Sequence, residues 1–157
     1  ALEHLNEFLL EDFDGAMYIT LVYCLFDFNK MVVTYANAGH EWPMLISPGV
    51  DEMTFLNKSS KPCGLFGGEK FLENEVKLKP GDRFIFPTDG LVDAESRSGD
   101  KYGLENLQKV VMESRSQSCD ACLDTVFGKV QEFSAGGGPQ FDDMTLVILD
   151  VVGPPTS

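Results

Sequence analysis

The 157-residue sequence predicts an α+β fold in which antiparallel β-sheets are covered by helices. Two observations predict this class. Segments rich in β-branched and aromatic residues outnumber the segments with helical periodicity, and short turns join most of them, which favours antiparallel pairing. With 43% hydrophobic and 24% charged residues, the chain also has the composition of a globular protein that buries its own core.

The first part of the chain predicts a helix and then a β-hairpin. Apolar residues recur at three- and four-residue spacing from Leu2 to Leu9, which indicates a helix over residues 1–10 with Phe8 on its apolar side. Residues 17–28 and 31–38 are rich in Tyr, Val, Ile, Thr and Phe, and a short polar turn separates them. These two segments are therefore predicted to pair as neighbouring antiparallel strands.

Shorter strands are predicted in the middle of the chain. In one of them Leu72, Val76 and Leu78 alternate with charged residues, which is typical of a half-exposed strand. A glycine-rich loop over residues 62–68 precedes it. The predicted strands cover residues 43–47, 53–56, 71–78 and 83–87.

The last third changes to helical periodicity. Helices are predicted over residues 102–114 and 118–133, and the Gly-Gly-Gly-Pro run at 136–139 is expected to end the second. A final strand is predicted over residues 144–152. Residues 153–157 are interpreted as a tail.

The charge and the cysteines exclude several classes. Twelve Lys and Arg against 25 Asp and Glu give a net charge of -13, which argues against nucleic acid or an anionic membrane as a partner. The sequence shows neither an 18-residue apolar run for a membrane span nor a signal-peptide pattern. The four cysteines lack the spacing of a zinc site, so we interpret them as reduced packing residues of a cytoplasmic protein.

The candidate chemistry lies in carboxylates. Common nucleotide-binding, zinc-protease and serine-hydrolase motifs are absent from the sequence, and it has only two histidines. Asp89 follows an apolar strand and, if Gly90 begins a helical turn, shares one side of it with Asp93. Asp142 and Asp143 stand at the entry to the last strand, so the two strand ends can converge around Mg, Mn or Ca. Each motif taken alone is also typical of a turn or a helix N-cap.

Five motifs together resemble the metal-dependent protein serine/threonine phosphatases of the 2C type, in the branch of bacterial sporulation protein E and the sigma-regulation phosphatases. The similarity extends from about Leu2 to Asp150. The motifs, in chain order, are Tyr35-Ala-Asn-Ala-Gly-His40, Pro80-Gly-Asp82, Thr88-Asp-Gly-Leu-Val-Asp-Ala94, Lys101-Tyr-Gly-Leu104 and Phe141-Asp-Asp-Met-Thr-Leu146.

The resemblance implies a fold and a set of site residues. The fold is a sandwich of two antiparallel sheets flanked by helices, in four α-β-β-α layers, with two Mn or Mg ions at one end. Asp89 and Asp142 match metal ligands, and Asp93 matches a position that helps some relatives to hold a third ion. Gly90, His40 and Asp143 are expected near the site, although His40 could equally be a structural residue.

The resemblance also implies a function and partners. The reaction is hydrolysis of phosphoserine or phosphothreonine on a regulatory protein by a metal-activated water, without a protein nucleophile. The substrate in this branch is often an anti-sigma antagonist, which places the expected activity in bacterial sigma-factor or stress signalling under an upstream sensor or regulatory domain.

The sequence departs from the family pattern at its start. Such domains open with a hairpin that carries a further bridging aspartate and with a first long helix, and neither precedes Ala1. Residues 1–152 are therefore expected to be a truncated phosphatase-like domain that is weakly active or inactive alone. A non-catalytic interaction or homodimerisation module, using sheet edges that the missing segment would expose, is the alternative hypothesis. A generic acidic domain that prefers calcium to manganese is a third.

Overall fold

The computed structural model describes residues 1–13, 16–41, 43–56, 60–135 and 142–153. The predicted helix-ending run at 136–139, the tail from residue 154 and Phe141 lie outside these described residues. The elements in the described residues are α1 (Leu2–Phe13), β1 (Leu21–Asp27), β2 (Val32–Ala38), β3 (Met44–Ile46), β4 (Thr54–Phe55), β5 (Asn74–Lys77), β6 (Arg83–Pro87), α2 (Asp89–Val92), α3 (Leu104–Glu113), α4 (Cys119–Ser134) and β7 (Leu146–Asp150).

The strands form two sheets, with the orders β1-β2-β5 and β4-β3-β6-β7. The pairs β1–β2, β2–β5, β3–β6 and β6–β7 run antiparallel, which confirms the predicted α+β class. The chain divides into two compact units, one comprising Ala1–Pro43 and Phe55–Pro80 and the other Met44–Thr54 and Gly81–Ser157.

The first unit contains the predicted hairpin. Strands β1 and β2 pair in a register that places Asp27 opposite Val32, and the Asp27 carboxylate accepts hydrogen bonds from the backbone N–H groups of Asn29 and Lys30 in the turn. The first strand begins at Leu21 rather than at the predicted residue 17. The residues before it leave the ladder, because Ile19 exchanges backbone hydrogen bonds of 2.9 Å with Cys63.

The core of the first unit joins α1 to the sheet. Leu2 and Leu9 pack in one cluster with Ala36, Ala38 and Cys63. The buried Asn6 lies between these leucines on α1, where its side chain donates to the Phe66 carbonyl (2.9 Å) and accepts from the Gly64 N–H (2.8 Å). The buried face of α1 therefore includes an amide that the apolar pattern did not indicate.

Two side chains expected on buried faces are instead exposed. Phe8 is 55% exposed, because the inward positions of α1 are Leu2, Asn6 and Leu9, and helical geometry turns Phe8 away from them. Leu72 is 61% exposed because β5 begins only at Asn74. Both expectations were wrong, since local periodicity does not reveal which side of an element finds a partner.

The second unit is built around β6, which has the predicted bounds and pairs with β3 and β7. Helices α3 and α4 pack on each other, and α4 also packs on β7. Ser118 caps α4 by accepting a hydrogen bond from the Ala121 N–H. Both helices were predicted within two residues of their observed starts. The buried side chains on them include Leu107, Val111, Cys122, Val126 and Val130.

A partly buried ion pair joins the neighbouring strands β6 and β7 of this second sheet. Arg83 lies opposite Asp150 in the β6–β7 register, and its guanidinium binds both carboxylate oxygens at 2.6 and 2.7 Å. Its Nη2 group also donates to the Gln117 carbonyl (2.7 Å), in the link between α3 and α4. The hydrogen bonds from Arg83 hold the pKa of Asp150 below its ordinary value.

Burial fits the predicted packing role for two of the four cysteines. All four are free thiols, and Cys63 and Cys122 are buried. Burial raises the pKa of the Cys24 thiol to about 11. Among the helices described by the structure, none has the length and apolar character to cross a bilayer.

Candidate metal centre

The candidate metal centre lies at the junction between β6 and α2. Thr88 has extended backbone (φ -94°, ψ 162°), and its N–H donates to the Thr145 carbonyl (2.9 Å). Its hydroxyl accepts from the Thr145 N–H (2.9 Å) and donates to the Asp143 carbonyl (3.2 Å). Thr88 therefore fastens the Asp89 turn to the segment that leads into β7, and this brings together the two carboxylate motifs that the sequence indicated.

Gly90 lies directly against that segment. It is buried, and a Cβ built on it would be 2.9 Å from the Asp143 carbonyl carbon, 3.4 Å from the Asp142 oxygen and closer still to the Asp143 oxygen. Real Cβ atoms do not approach backbone this closely. The absence of a side chain at Gly90 is thus what lets the backbone of the two motifs touch.

The two leading carboxylates have similar local geometry. The Asp89 carboxylate accepts a hydrogen bond from the Gly90 N–H (3.1 Å), and that of Asp142 accepts one from the Asp143 N–H (2.8 Å). Both aspartates are exposed. Each carboxylate is therefore oriented by the backbone of its own turn while its side chain remains accessible to solvent.

Asp93 lies one helical turn beyond Asp89. It caps the C-terminus of α2, and its N–H donates to the Asp89 carbonyl (2.8 Å). Its carboxylate forms an ion pair with Lys101 at 3.0 Å. Lys101 was placed in a motif from the sequence but was not identified as the counter-ion of Asp93. The Ser-Gly-Asp sequence just before Lys101 is typical of a turn, and this turn returns the chain toward α2.

His40 belongs to the first unit, whereas the aspartates belong to the second. There its backbone N–H donates to the side chain of the buried Asn37 (2.8 Å), and its carbonyl accepts from the same amide (3.0 Å). Gly39 between them has φ +73°, and a Cβ on it would clash with Pro62. The motif that ends at His40 thus has a structural role as a turn, and a position of His40 near the metal centre stays a prediction.

The donor set suits a hard divalent cation but is incomplete. Carboxylate and carbonyl oxygens are the ligands that Mg²⁺ and Mn²⁺ prefer. Across the described ranges, no group of three His, Cys, Asp or Glu residues is arranged to hold a metal ion. Asp89 and Asp142 therefore have the donor chemistry that such a cation needs, the contact at Gly90 fixes the backbone that carries them, and their role as ligands stays a prediction.

The fold defines the class of protein. The chain is similar to the SiaA-PP2C domain of Pseudomonas aeruginosa, with a TM-score of 0.80 and 19% identity, over 96% of this chain and 59% of that one. It is also similar to the phosphatase domain of the cell fate determinant SpoIIE from Bacillus subtilis, presoaked with Mn, with a TM-score of 0.67 and 14% identity over 99% and 76% of the two chains. The expected 2C-type phosphatase fold is confirmed.

The sequence then places the chain within this class. Residues 1–152 match the family model of Stage II sporulation protein E (SpoIIE), and the chain belongs to that family. It is 26% identical over 151 residues to the phosphoserine phosphatase RsbU of Bacillus subtilis, covering 94% of this chain and 43% of RsbU. The resemblance to the sporulation and sigma-regulation branch is confirmed. The chain spans less than two thirds of RsbU and of the SiaA-PP2C chain.

Proposed function

We propose that this chain is part of a protein serine/threonine phosphatase that uses Mn²⁺ or Mg²⁺ to hydrolyse phosphoserine or phosphothreonine on a regulatory protein. The observation that carries the proposal is the contact between Gly90 and the Asp142–Asp143 backbone, which holds two carboxylate-bearing strand ends together. Membership of the SpoIIE family and similarity to RsbU, a phosphoserine phosphatase, support it.

Asp89 and Asp142 are the proposed metal ligands. When bound, divalent ions supply an activated water and neutralise charge on the phosphoryl group. The protein's own contribution is to hold two anionic oxygen donors in place: the Gly90 and Asp143 N–H groups orient the carboxylates, and Thr88 prevents the two turns from separating. Asp143 acts through its backbone in this scheme, as a positioning residue, and Asp93 is a ligand only when it is released from Lys101.

The proposed partners follow from the relatives. We take the substrate to be a phosphorylated regulator of sigma-factor or stress signalling, such as an anti-sigma antagonist, with a sensor domain elsewhere in the whole protein. These assignments rest on similarity to RsbU and to SpoIIE. A cytoplasmic location would suit such a substrate.

The test is phosphopeptide hydrolysis by the whole protein with Mn²⁺. Asp89→Asn and Asp142→Asn each replace a charged oxygen donor by an amide of the same size. Because loss of a residue that merely supports a metal ligand already costs about 10- to 100-fold, each should reduce turnover by about 100-fold or more. Asp124→Asn is the matched control, because Asp124 is an exposed aspartate on α4. It should keep wild-type turnover.

Full activity in both Asp89→Asn and Asp142→Asn would contradict the proposed site. A second result would also count against the proposal. If the wild-type protein bound Mn²⁺ without hydrolysing the phosphopeptide, and both variants bound Mn²⁺ equally well, the two aspartates would not be the ligands. A non-catalytic module would then be the better description. Far-ultraviolet circular dichroism of each variant shows whether the fold is preserved.

A further inference from the structure

The ion pair between Lys101 and Asp93 stands beside the proposed metal ligands. The Lys101 Nζ lies 3.0 Å from the Asp93 Oδ1, and the two side chains are 59% and 49% exposed. Asp93 is joined to Asp89 through a backbone hydrogen bond of 2.8 Å across the α2 turn. A cation at Asp89 would therefore also attract the Asp93 carboxylate, which already has a positive partner.

The backbone of Lys101 is fixed by the loop that carries it. Residues 94–102 fold back on themselves, with the Tyr102 N–H donating to the Ala94 carbonyl (2.8 Å) and Lys101 bridged to Glu95. The Ser96 N–H donates to the Asp100 carbonyl (2.9 Å) at the tip. Because backbone hydrogen bonds join the two ends of this loop, the backbone of Lys101 is held in place beside the α2 turn.

The Lys101–Asp93 ion pair is weak enough that the ammonium and a divalent cation can compete for the Asp93 carboxylate. An exposed ion pair contributes on the order of 0–1 kcal/mol, so removing the ammonium should change cation binding by a modest factor and leave the fold intact. At the same time, two charges a few ångströms apart in water interact by about 1 kcal/mol per pair of unit charges, so the lysine charge weakens cation binding nearby by a measurable factor.

We propose that Lys101 is a positioning residue that withholds Asp93 from the divalent-ion site, so that the Asp93 carboxylate joins the ligands only when the ammonium is removed or displaced. This inference rests on the proposed function, because it concerns the same ions. It goes further by assigning the control of ligand number to a residue that is not itself a metal ligand.

The experiment is titration of the whole protein with Mn²⁺, followed by isothermal titration calorimetry and by the electron paramagnetic resonance signal of free Mn²⁺. Lys101→Gln should tighten Mn²⁺ binding by about 2- to 10-fold. Asp93→Asn in the wild-type background should change it by less than about 2-fold, and the double variant Lys101→Gln/Asp93→Asn should lose the gain. Lys109→Gln, at an exposed lysine of α3, makes the same change in net charge and is the control.

The outcomes separate the two proposals. A gain in Lys101→Gln that equals the gain in Lys109→Gln, or that survives Asp93→Asn, overturns the role of Lys101. Mn²⁺ binding that is lost in Asp89→Asn but unchanged by Lys101→Gln overturns only this inference. Mn²⁺ binding that persists in both Asp89→Asn and Asp142→Asn contradicts the proposed function. A gain in Mn²⁺ affinity in Lys101→Gln that disappears when Asp93→Asn is added still supports the role of Lys101.

Discussion

Gly90→Ala tests the contact on which the site depends. Gly90 sits in the first turn of α2, and the atoms that an added methyl group would meet are the carbonyl groups of Asp143 and Asp142. These are backbone atoms that cannot rotate aside as the end of a flexible side chain can. The substitution should therefore force the α2 turn and the segment before β7 apart.

The size of the effect can be worked from the distances. The Asp143 carbonyl carbon would be 2.9 Å from the new Cβ, whereas carbon atoms in contact are normally about 3.5–4.0 Å apart. A separation of about 1 Å is thus required, and overpacking of this kind costs roughly 1–3 kcal/mol. Alanine recovers up to about 1 kcal/mol through its higher helix propensity, and the full recovery leaves a net loss of about 0–2 kcal/mol.

The functional loss should exceed the loss of stability. A displacement of about 1 Å in catalytic geometry can reduce the rate on the order of 100-fold, so Gly90→Ala should reduce phosphopeptide turnover by about that factor while the protein stays folded. Urea unfolding measures the stability, and turnover with saturating Mn²⁺ measures the activity.

Gly128→Ala is the matched control for Gly90→Ala. Gly128 lies within α4, and an added Cβ meets no described atom within 4 Å. The same chemical change should therefore stabilise the protein there by up to about 1 kcal/mol and leave turnover unchanged. If Gly90→Ala matched Gly128→Ala in stability and retained wild-type turnover, the backbone contact would not position the site.

Two further predictions concern stability in each unit separately. Arg83→Met removes the buried partner of Asp150 and should cost about 1–3 kcal/mol in urea unfolding, less than a fully buried pair because the Asp150 side chain is 35% exposed. Since Arg83 lowers the pKa of folded Asp150, the pair stabilises fully above the ordinary pKa of Asp and loses this effect as pH falls through the lowered value. The variant should therefore show a flatter decline in stability as the pH falls below the ordinary pKa of Asp, about 4. An unchanged decline would refute the assignment. Asn6→Ala leaves the Gly64 N–H and the Phe66 carbonyl without their amide partner and should cost about 2–3 kcal/mol, whereas a neutral result would show that water replaces the amide.

Elements with strong local signals were predicted closely from the sequence. Strand β6 is an apolar run bounded by a Pro-Gly-Asp turn and by Thr88-Asp89-Gly90, and it was predicted at its observed bounds. Helix α4 was predicted to begin at residue 118, and Ser118 is its N-cap in the structure. The start of β1 was predicted too early because the residues before it have strand composition. Only the tertiary structure shows that Ile19 pairs with Cys63 instead.

The burial errors have a related cause. The leucine spacing in α1 allowed Phe8 on the apolar side, but the buried face instead includes Asn6, whose amide is satisfied by the distant residues Gly64 and Phe66. A polar side chain can be buried when its hydrogen bonds are completed, and those partners cannot be identified from local periodicity. Lys101 was missed as a counter-ion for the same reason, because its partner is set by the way a loop returns.

The approach of the residues after β6 to the residues before β7 could be predicted, because the ends of paired strands bring their flanking residues together. Strands β6 and β7 pair with Pro87 opposite Leu146, so Thr88 meets Thr145 at the next step, and residues just after β6 must lie beside residues just before β7. A shift of one residue would reverse the faces of β7, and a shift of two would move the entering carboxylates by about 7 Å along the strand. Neither shift is compatible with the bonds between the two threonines. The same register that pairs apolar side chains in the second sheet therefore also places the Asp142–Asp143 backbone beside Gly90, and this is why we expect the contact at Gly90 to decide whether the proposed site can form.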